Sequence, residues 1–425
     1  MKNIGLMLFA LIVLVVGCKD KQFQKYTANV PVYTDFETFR TSIGTVKYEE
    51  AKTIEQKGGI YFKDNFLFIL DNFKGIYIID NSNPSAPINK GYYAITGITG
   101  ISINNQYLYV NAYTDLVVID VSSIDNPSEV GRIENVFDYA MPTHDPQYPI
   151  AEIDHSKGII TGWTIEEYVT DKEPINGCFN CNSWDGSFEN SIDFNINTSE
   201  VISSQGQGIS GSITKFSLLN DFLYVMDGNN LKPFDLSNPT RPSNSNEVSI
   251  WREVETLFAY NNHIFMGTTT GMLIYDTDNR NAPSQIGVIQ HANACDPVVV
   301  DGDYAYVTLR TGTVCSGQQN QLDVIDVSNY TQPTLKKTFS LKNPHGLGIK
   351  NNTLFVCDGT SGLKIFDATD PLNVGNQKIK TYGSVQATDI ILLDNIAMLI
   401  GDDGLYQYDI SDVEEIKEIS QIKFK

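Results

Sequence analysis

A short, largely apolar run closed by an aspartate recurs seven times, and no other feature constrains the fold of this chain so tightly. The copies include Tyr77-Ile-Ile-Asp80, Leu116-Val-Val-Ile-Asp120, Leu231-Lys-Pro-Phe-Asp235 and Leu273-Ile-Tyr-Asp276. Leu322-Asp-Val-Ile-Asp326, Leu363-Lys-Ile-Phe-Asp367 and Leu405-Tyr-Gln-Tyr-Asp409 complete the set. Their closing aspartates lie 40, 115, 41, 50, 41 and 42 residues apart. A period near 41 built from β-branched and aromatic runs is the signature of a propeller blade. The expected fold is all-β, a β-propeller of four-stranded antiparallel blades.

One unit shows the blade grammar. Gly346 to Lys350 alternates as an inner strand, Asn351-Asn352 turns, and Thr353 to Cys357 returns. Asp358-Gly359-Thr-Ser-Gly362 is rich in residues that tolerate positive φ, so a second hairpin falls there before Leu363 to Phe366. The recurring aspartate sits where this third strand ends and a Ser-Asn-Pro type of turn begins. Its carboxylate is expected to accept backbone N–H groups of that turn and to do no chemistry.

The wide spacings locate insertions. The 115-residue gap holds two periods plus about 33 further residues, with a degenerate blade at Ile150–Asp154 and Ile159–Trp163 and an Asn-, Ser- and Gly-rich insertion at about 171–208. Eight blades are the preferred count on this reading, and seven follow if the gap is one blade with a longer insertion. Val46 to Ile54 offers an extra strand to the last blade, which would close the ring and protect its edges.

The ends and the charge bound the setting. Residues 1–18 read as a lipoprotein signal: Lys2 opens it, Leu6 to Val16 is apolar, and Leu14-Val-Val-Gly-Cys18 resembles a lipobox that would place a lipid on Cys18. The apolar run is too short for a spanning helix. Residues 19–58 are a tether and N-terminal segment, and 59–425 are the propeller. Lys plus Arg number 30 against 51 Asp plus Glu, a net charge of −21 that argues against nucleic acid. The expected location is the outer membrane, lipid-anchored, with the cell-surface side preferred to the periplasmic one.

The repeated phrases resemble the LVIVD repeat of bacterial extracytoplasmic propellers. Leu116 to Asp120 and Leu322 to Asp326 carry the resemblance, and Asn72 to Asp80, Cys295 to Val307 and Asn343 to Ile349 extend it. The resemblance implies a lipid-anchored propeller and carries over no catalytic residue, cofactor or metal.

Several constellations invite chemistry. The loop that enters an innermost strand and the hairpin between second and third strands open on one face of a propeller. Cys295 and Cys315 therefore meet at one end of a single blade, and a disulfide between them would close a loop of about 20 residues, stabilising by roughly 3 kcal/mol. Cys178 and Cys181 read as a local disulfide, because no second ligand pair completes a zinc site. Cys357, within Leu354 to Cys357, is the unpaired one and suits a buried strand. His291, Asp296, Arg310, His345 and Asp389 all fall near strand starts or hairpins of that face and form the candidate ligand face, which His144 would join.

No nucleophile elbow, metalloprotease motif, phosphate loop or dinucleotide fingerprint occurs. The favoured function is a non-enzymatic binding or scaffold module for a protein or glycan partner. The alternatives are an extracellular enzyme acting on a carbohydrate or small metabolite, and an accessory subunit of an outer-membrane protein complex.

Overall fold

The computed structural model describes residues 24–55, 58–137, 141–170, 197–198, 207, 209–210, 215–290, 297–310 and 320–425. Seven antiparallel sheets with a common four-strand core follow one another along the chain. They are blades one to seven, at 60–94, 101–133, 216–249, 254–290, 298–340, 347–382 and 387–423. The seven aspartate-closed phrases are the third strands of these seven blades.

The turns form as the residue types demand. Each closing aspartate accepts the backbone N–H two residues on, at 2.7 to 3.0 Å in all seven blades. The turn hydroxyls of Ser237, Ser328, Thr369 and Ser411, and then these backbone bonds, hold the carboxyls of Asp235, Asp326, Asp367 and Asp409 below the usual carboxylate range, and at Asp80 the backbone bond to Ser82 leads. The hairpin between first and second strands carries left-handed residues, such as Asn261-Asn262 and Asn351-Asn352, which suits the twist of the flanking strands.

The aspartate turn of one blade is also a docking point for the preceding blade. Tyr93, Tyr109, Tyr224 and Tyr382 donate their hydroxyls to the turn carbonyls of Ile124, Pro239, Arg280 and Ile416 in the next blade. At Gly131 and Gly287 the neighbouring turn comes so close that any Cβ would collide with the carbonyl of Thr240 or Tyr330. The blade cores are apolar and continuous from blade to blade: one buried cluster runs from Phe258 of blade four through Val324 to Phe366 of blade six.

The preferred count of eight is corrected to seven. Of the residues read as a degenerate blade, Ile159–Trp163 begin one long strand, Ile159–Thr170, paired antiparallel with Gln24–Thr34 in a separate two-stranded ribbon, while Ile150 makes only an isolated bridge to Asn29. Alternation alone marked these residues as strand and could not name the partner, which lies more than a hundred residues upstream.

Ring closure also differs from expectation. Lys47–Glu49 pairs with the outer strand of blade one, not with the last blade. All four strands of blade seven come from the C-terminal end of the chain. Blades seven and one are joined instead by a reciprocal amide pair: Gln407 Nε2 donates to Asn81 Oδ1 at 2.7 Å, and Asn81 Nδ2 donates to Gln407 Oε1 at 2.9 Å. Beneath it Ile60, Leu67, Ile69 and Tyr77 of blade one share a buried cluster with Ile391, Met398 and Ile400 of blade seven.

Three short described segments, 197–198, 207 and 209–210, pair with inner strands of the ring. Asn197–Thr198 runs parallel to the innermost strand of blade six, at Leu347 and Gly348. Gln207 bridges Asn104 of blade two and donates to the carbonyl of Asn220 in blade three. Ile209–Ser210 then runs antiparallel to the innermost strand of blade one.

Candidate functional site

A buried polar cluster lies where blades five, six and seven adjoin. Arg310 ends the second strand of blade five, and His345 sits in the loop that enters blade six. Arg310 Nη1 lies 3.0 Å from Nδ1 and 3.3 Å from Nε2 of His345. The backbone fixes the histidine: its N–H donates to the Cys357 carbonyl at 2.6 Å, and its carbonyl accepts the Thr308 hydroxyl at 2.7 Å.

Gly359 explains part of this geometry. Its φ is +53°, and a Cβ there would collide with Asn343 Nδ2 and lie 2.8 Å from His345 Nε2. A side chain at 359 would therefore force the histidine out. Asp358, next to it, accepts the N–H groups of Lys342 and Asn343 and the Lys364 ammonium. Asp389 sits at a bulge of the innermost strand of blade seven, and its Oδ1 accepts the Ile390 N–H at 2.6 Å. Burial pushes the Cys357 thiol well up, and the Asp389 and Asp358 carboxylates add to the shift.

Of the five residues assigned to a ligand face, the structure brings Arg310 and His345 into contact and places Asp389 one blade further on. All three are at most 3 % exposed, and the Arg310–His345 contact links blades five and six. His291 and Asp296 lie outside the described residues, as do Cys18, Cys178, Cys181, Cys295 and Cys315. Cys357 is a buried free thiol. His144 packs against the ribbon from the preceding loop, its ring edge-on to Trp163 at 5.9 Å.

The ends of other blades repeat the pattern of an acid consumed internally. Asp115, fully buried, receives Arg40 through Nε at 2.8 Å and Nη2 at 3.0 Å, and Arg132 at 3.1 Å. Burial raises its carboxyl, but Arg40, the Asn135 N–H and Arg132 outweigh it and hold the group below the usual range. This cluster fastens the N-terminal segment to blade two. Asp227 pairs with Lys232 at 2.7 Å. Asp71 accepts both the Tyr77 and Tyr92 hydroxyls, at 3.1 and 3.0 Å. Burial, then the Asp71 charge, pushes Tyr77 up to about 12. Among the described residues no three His, Cys, Asp or Glu side chains gather in a way that could hold a metal ion.

Two surface features escaped the sequence reading. Trp251, in the connection from blade three to blade four, is 94 % exposed, although Ile250 beside it is buried. The ribbon carries exposed Val32, Ile165 and Val169. Neither has a periodic signal, because exposure of a single apolar side chain depends on contacts that the linear pattern does not contain.

Four segments, 58–95, 98–135, 210–249 and 293–340, match the LVIVD repeat; they span blades one, two, three and five and cover less than half of the chain. No curated protein matches the sequence. Solved structures with similar folds include BamB from Moraxella catarrhalis, 9 % identical over 89 % of this chain and 92 % of that one, with a TM-score of 0.49. The computationally designed Ika8 protein is 10 % identical over 89 % and 91 %, at 0.48. Kluyveromyces lactis Hsv2 is 9 % identical over 90 % and 100 %, at 0.46. At such identities and scores the likeness carries no argument about what this chain binds.

Proposed function

We propose that this chain of LVIVD repeats is a lipid-anchored envelope protein, and that its propeller is a non-enzymatic binding module for a protein or glycan partner. One observation carries the reading: the chain's own strands occupy the innermost edges of blades six and one, where a channel ligand would have to sit. The buried state of Arg310, His345 and Asp389 points the same way, since general acid–base work requires a side chain within hydrogen-bond reach of a substrate. What remains for a partner is the rim. There Trp251 offers a large rigid aromatic surface of the kind enriched at binding hot spots.

The anchor rests on the sequence at Leu14-Val-Val-Gly-Cys18 and on the tether that follows. Outer-membrane placement, with the cell-surface side preferred, belongs to the same proposal. A net charge of −21 suits a solvated rim that resists non-specific association. The test is recovery of the lipidated chain from its native envelope in mild detergent, as wild type and as Trp251→Ala. A stoichiometric protein or glycan that wild type retains and Trp251→Ala loses supports the reading. Wild type recovered alone, together with turnover of an envelope metabolite, contradicts it.

A further inference from the structure

The ribbon of Gln24–Thr34 and Ile159–Thr170 belongs to no blade. Its base is fixed: Ile159 and Ile160 are buried, and Ile159 joins the core shared by blades one and two. Midway, the Asn29 side chain donates to the carbonyls of Asp145 and Tyr148. From that point outward, starting at Ile165 opposite Asn29, the ribbon changes character. Ile165 is 49 % and Val169 is 55 % exposed, and their even spacing along a strand puts them on one face. Glu167 lies between them, with an ion pair at 2.7 Å to Lys25. On the opposite face Tyr26 and Tyr168 meet edge to face, with ring centroids 5.9 Å apart.

We propose that this distal half of the ribbon rests in the headgroup region of the bilayer to which Cys18 tethers the chain. The proposal depends on the lipid-anchor reading above and adds to it the surface that touches the lipid. Chain length is the first argument. Five residues lie between Cys18 and Gln24, and the six steps at 3.3–3.6 Å each reach at most about 22 Å. The ribbon's tip is therefore held near the membrane surface, whereas its 11-residue strand extends about 35 Å toward the blades.

Chemistry is the second argument. Two exposed aliphatic side chains, Ile165 and Val169, with the long apolar stem of Lys25 opposite Val169, form a face of the kind that settles at a membrane–water interface. The contact adds a second point of attachment to the lipid on Cys18 and fixes the tilt of the propeller, since a tether alone leaves orientation free. The chain's negative charge makes neutral headgroups the favoured surface.

The test places the photocrosslinking residue benzoylphenylalanine at Ile165, at Val169 or, as a control of equal exposure, at Leu335 on the outer strand of blade five (49 % exposed, as Ile165 is). The full lipidated chain is reconstituted in phosphatidylethanolamine and phosphatidylcholine vesicles, irradiated and read by peptide mass. The expected result is a mass gain of one phospholipid on the peptides holding 165 and 169, and none on that holding 335. Two surface positions guard against one variant folding badly. Equal adduct at all three, none at 165 and 169, or crosslinks from 165 and 169 to a protein when the native envelope is irradiated, overturns the proposal. An N-terminal peptide without acyl mass on Cys18 overturns the anchor reading and this proposal together, and the same spectrum tells the two failures apart.

Discussion

Removing the Gln407 amide is predicted to loosen the ring at its closing junction. Gln407 is 1 % exposed; its Nε2 donates to Asn81 Oδ1 at 2.7 Å, to Ser420 Oγ at 3.1 Å and to the Pro84 carbonyl at 3.2 Å, and its Oε1 accepts Asn81 Nδ2. Gln407→Ala deletes these bonds and strands the Asn81 amide, itself 4 % exposed. A net hydrogen bond contributes about 1 kcal/mol and a stranded buried polar group costs about 1–3, so the expected loss is roughly 2–4 kcal/mol. The assay is urea unfolding, read as a lower midpoint at unchanged slope. Asn81→Ala should cost a similar amount. The double variant should cost less than the sum by about 1–2 kcal/mol, because neither partner is then left stranded. Tyr224→Phe, which removes one inter-blade bond at an internal junction, serves as the scale at about 1 kcal/mol. A Gln407→Ala cost within about 0.5 kcal/mol of zero, the range of ordinary surface changes, would refute the idea that this amide pair closes the ring.

Further consequences are open to test. Asp115→Ala should cost about 3–5 kcal/mol, since Arg40 and Arg132 lose the buried charge they share, and limited proteolysis should then release the segment around Arg40 first. Gly359→Ala should cost about 1–2 kcal/mol for left-handed backbone alone, and more for the clash with Asn343 and His345, measured as a fall in urea midpoint. The turn aspartates have lowered carboxyls, so they stabilise above the unfolded value of about 3.9, and that contribution is lost as pH falls through the folded values. A pH titration of the unfolding midpoint should therefore stay flat on this account near neutrality and decline below about pH 4. Cys357, buried with its thiol pushed well up, should resist maleimide in the native chain and react fully in denaturant, read on its own tryptic peptide.

Much of this fold was legible because the blade repeats its own grammar. The aspartate at 80, 120 or 235 marks the end of a third strand whatever its surroundings, since the turn it caps is local. The stretch Ile159–Thr170 was not legible in the same way. Its alternation says strand, but whether it joins a blade or pairs with Gln24–Thr34 depends on a partner far away in sequence. The same limit applies at the candidate site. The structure sets Arg310 beside His345, and only packing could tell that both side chains are buried. The part of Arg40, 75 residues from Asp115, had no local signal at all.

The most direct test of a tethered, partner-binding propeller is affinity recovery of the full chain from its native envelope in mild detergent, with intact mass and composition measured together. The account predicts acyl mass on Cys18 and a stoichiometric partner that the Trp251→Ala chain does not retain. An unmodified Cys18 with no partner at stoichiometric level would contradict it.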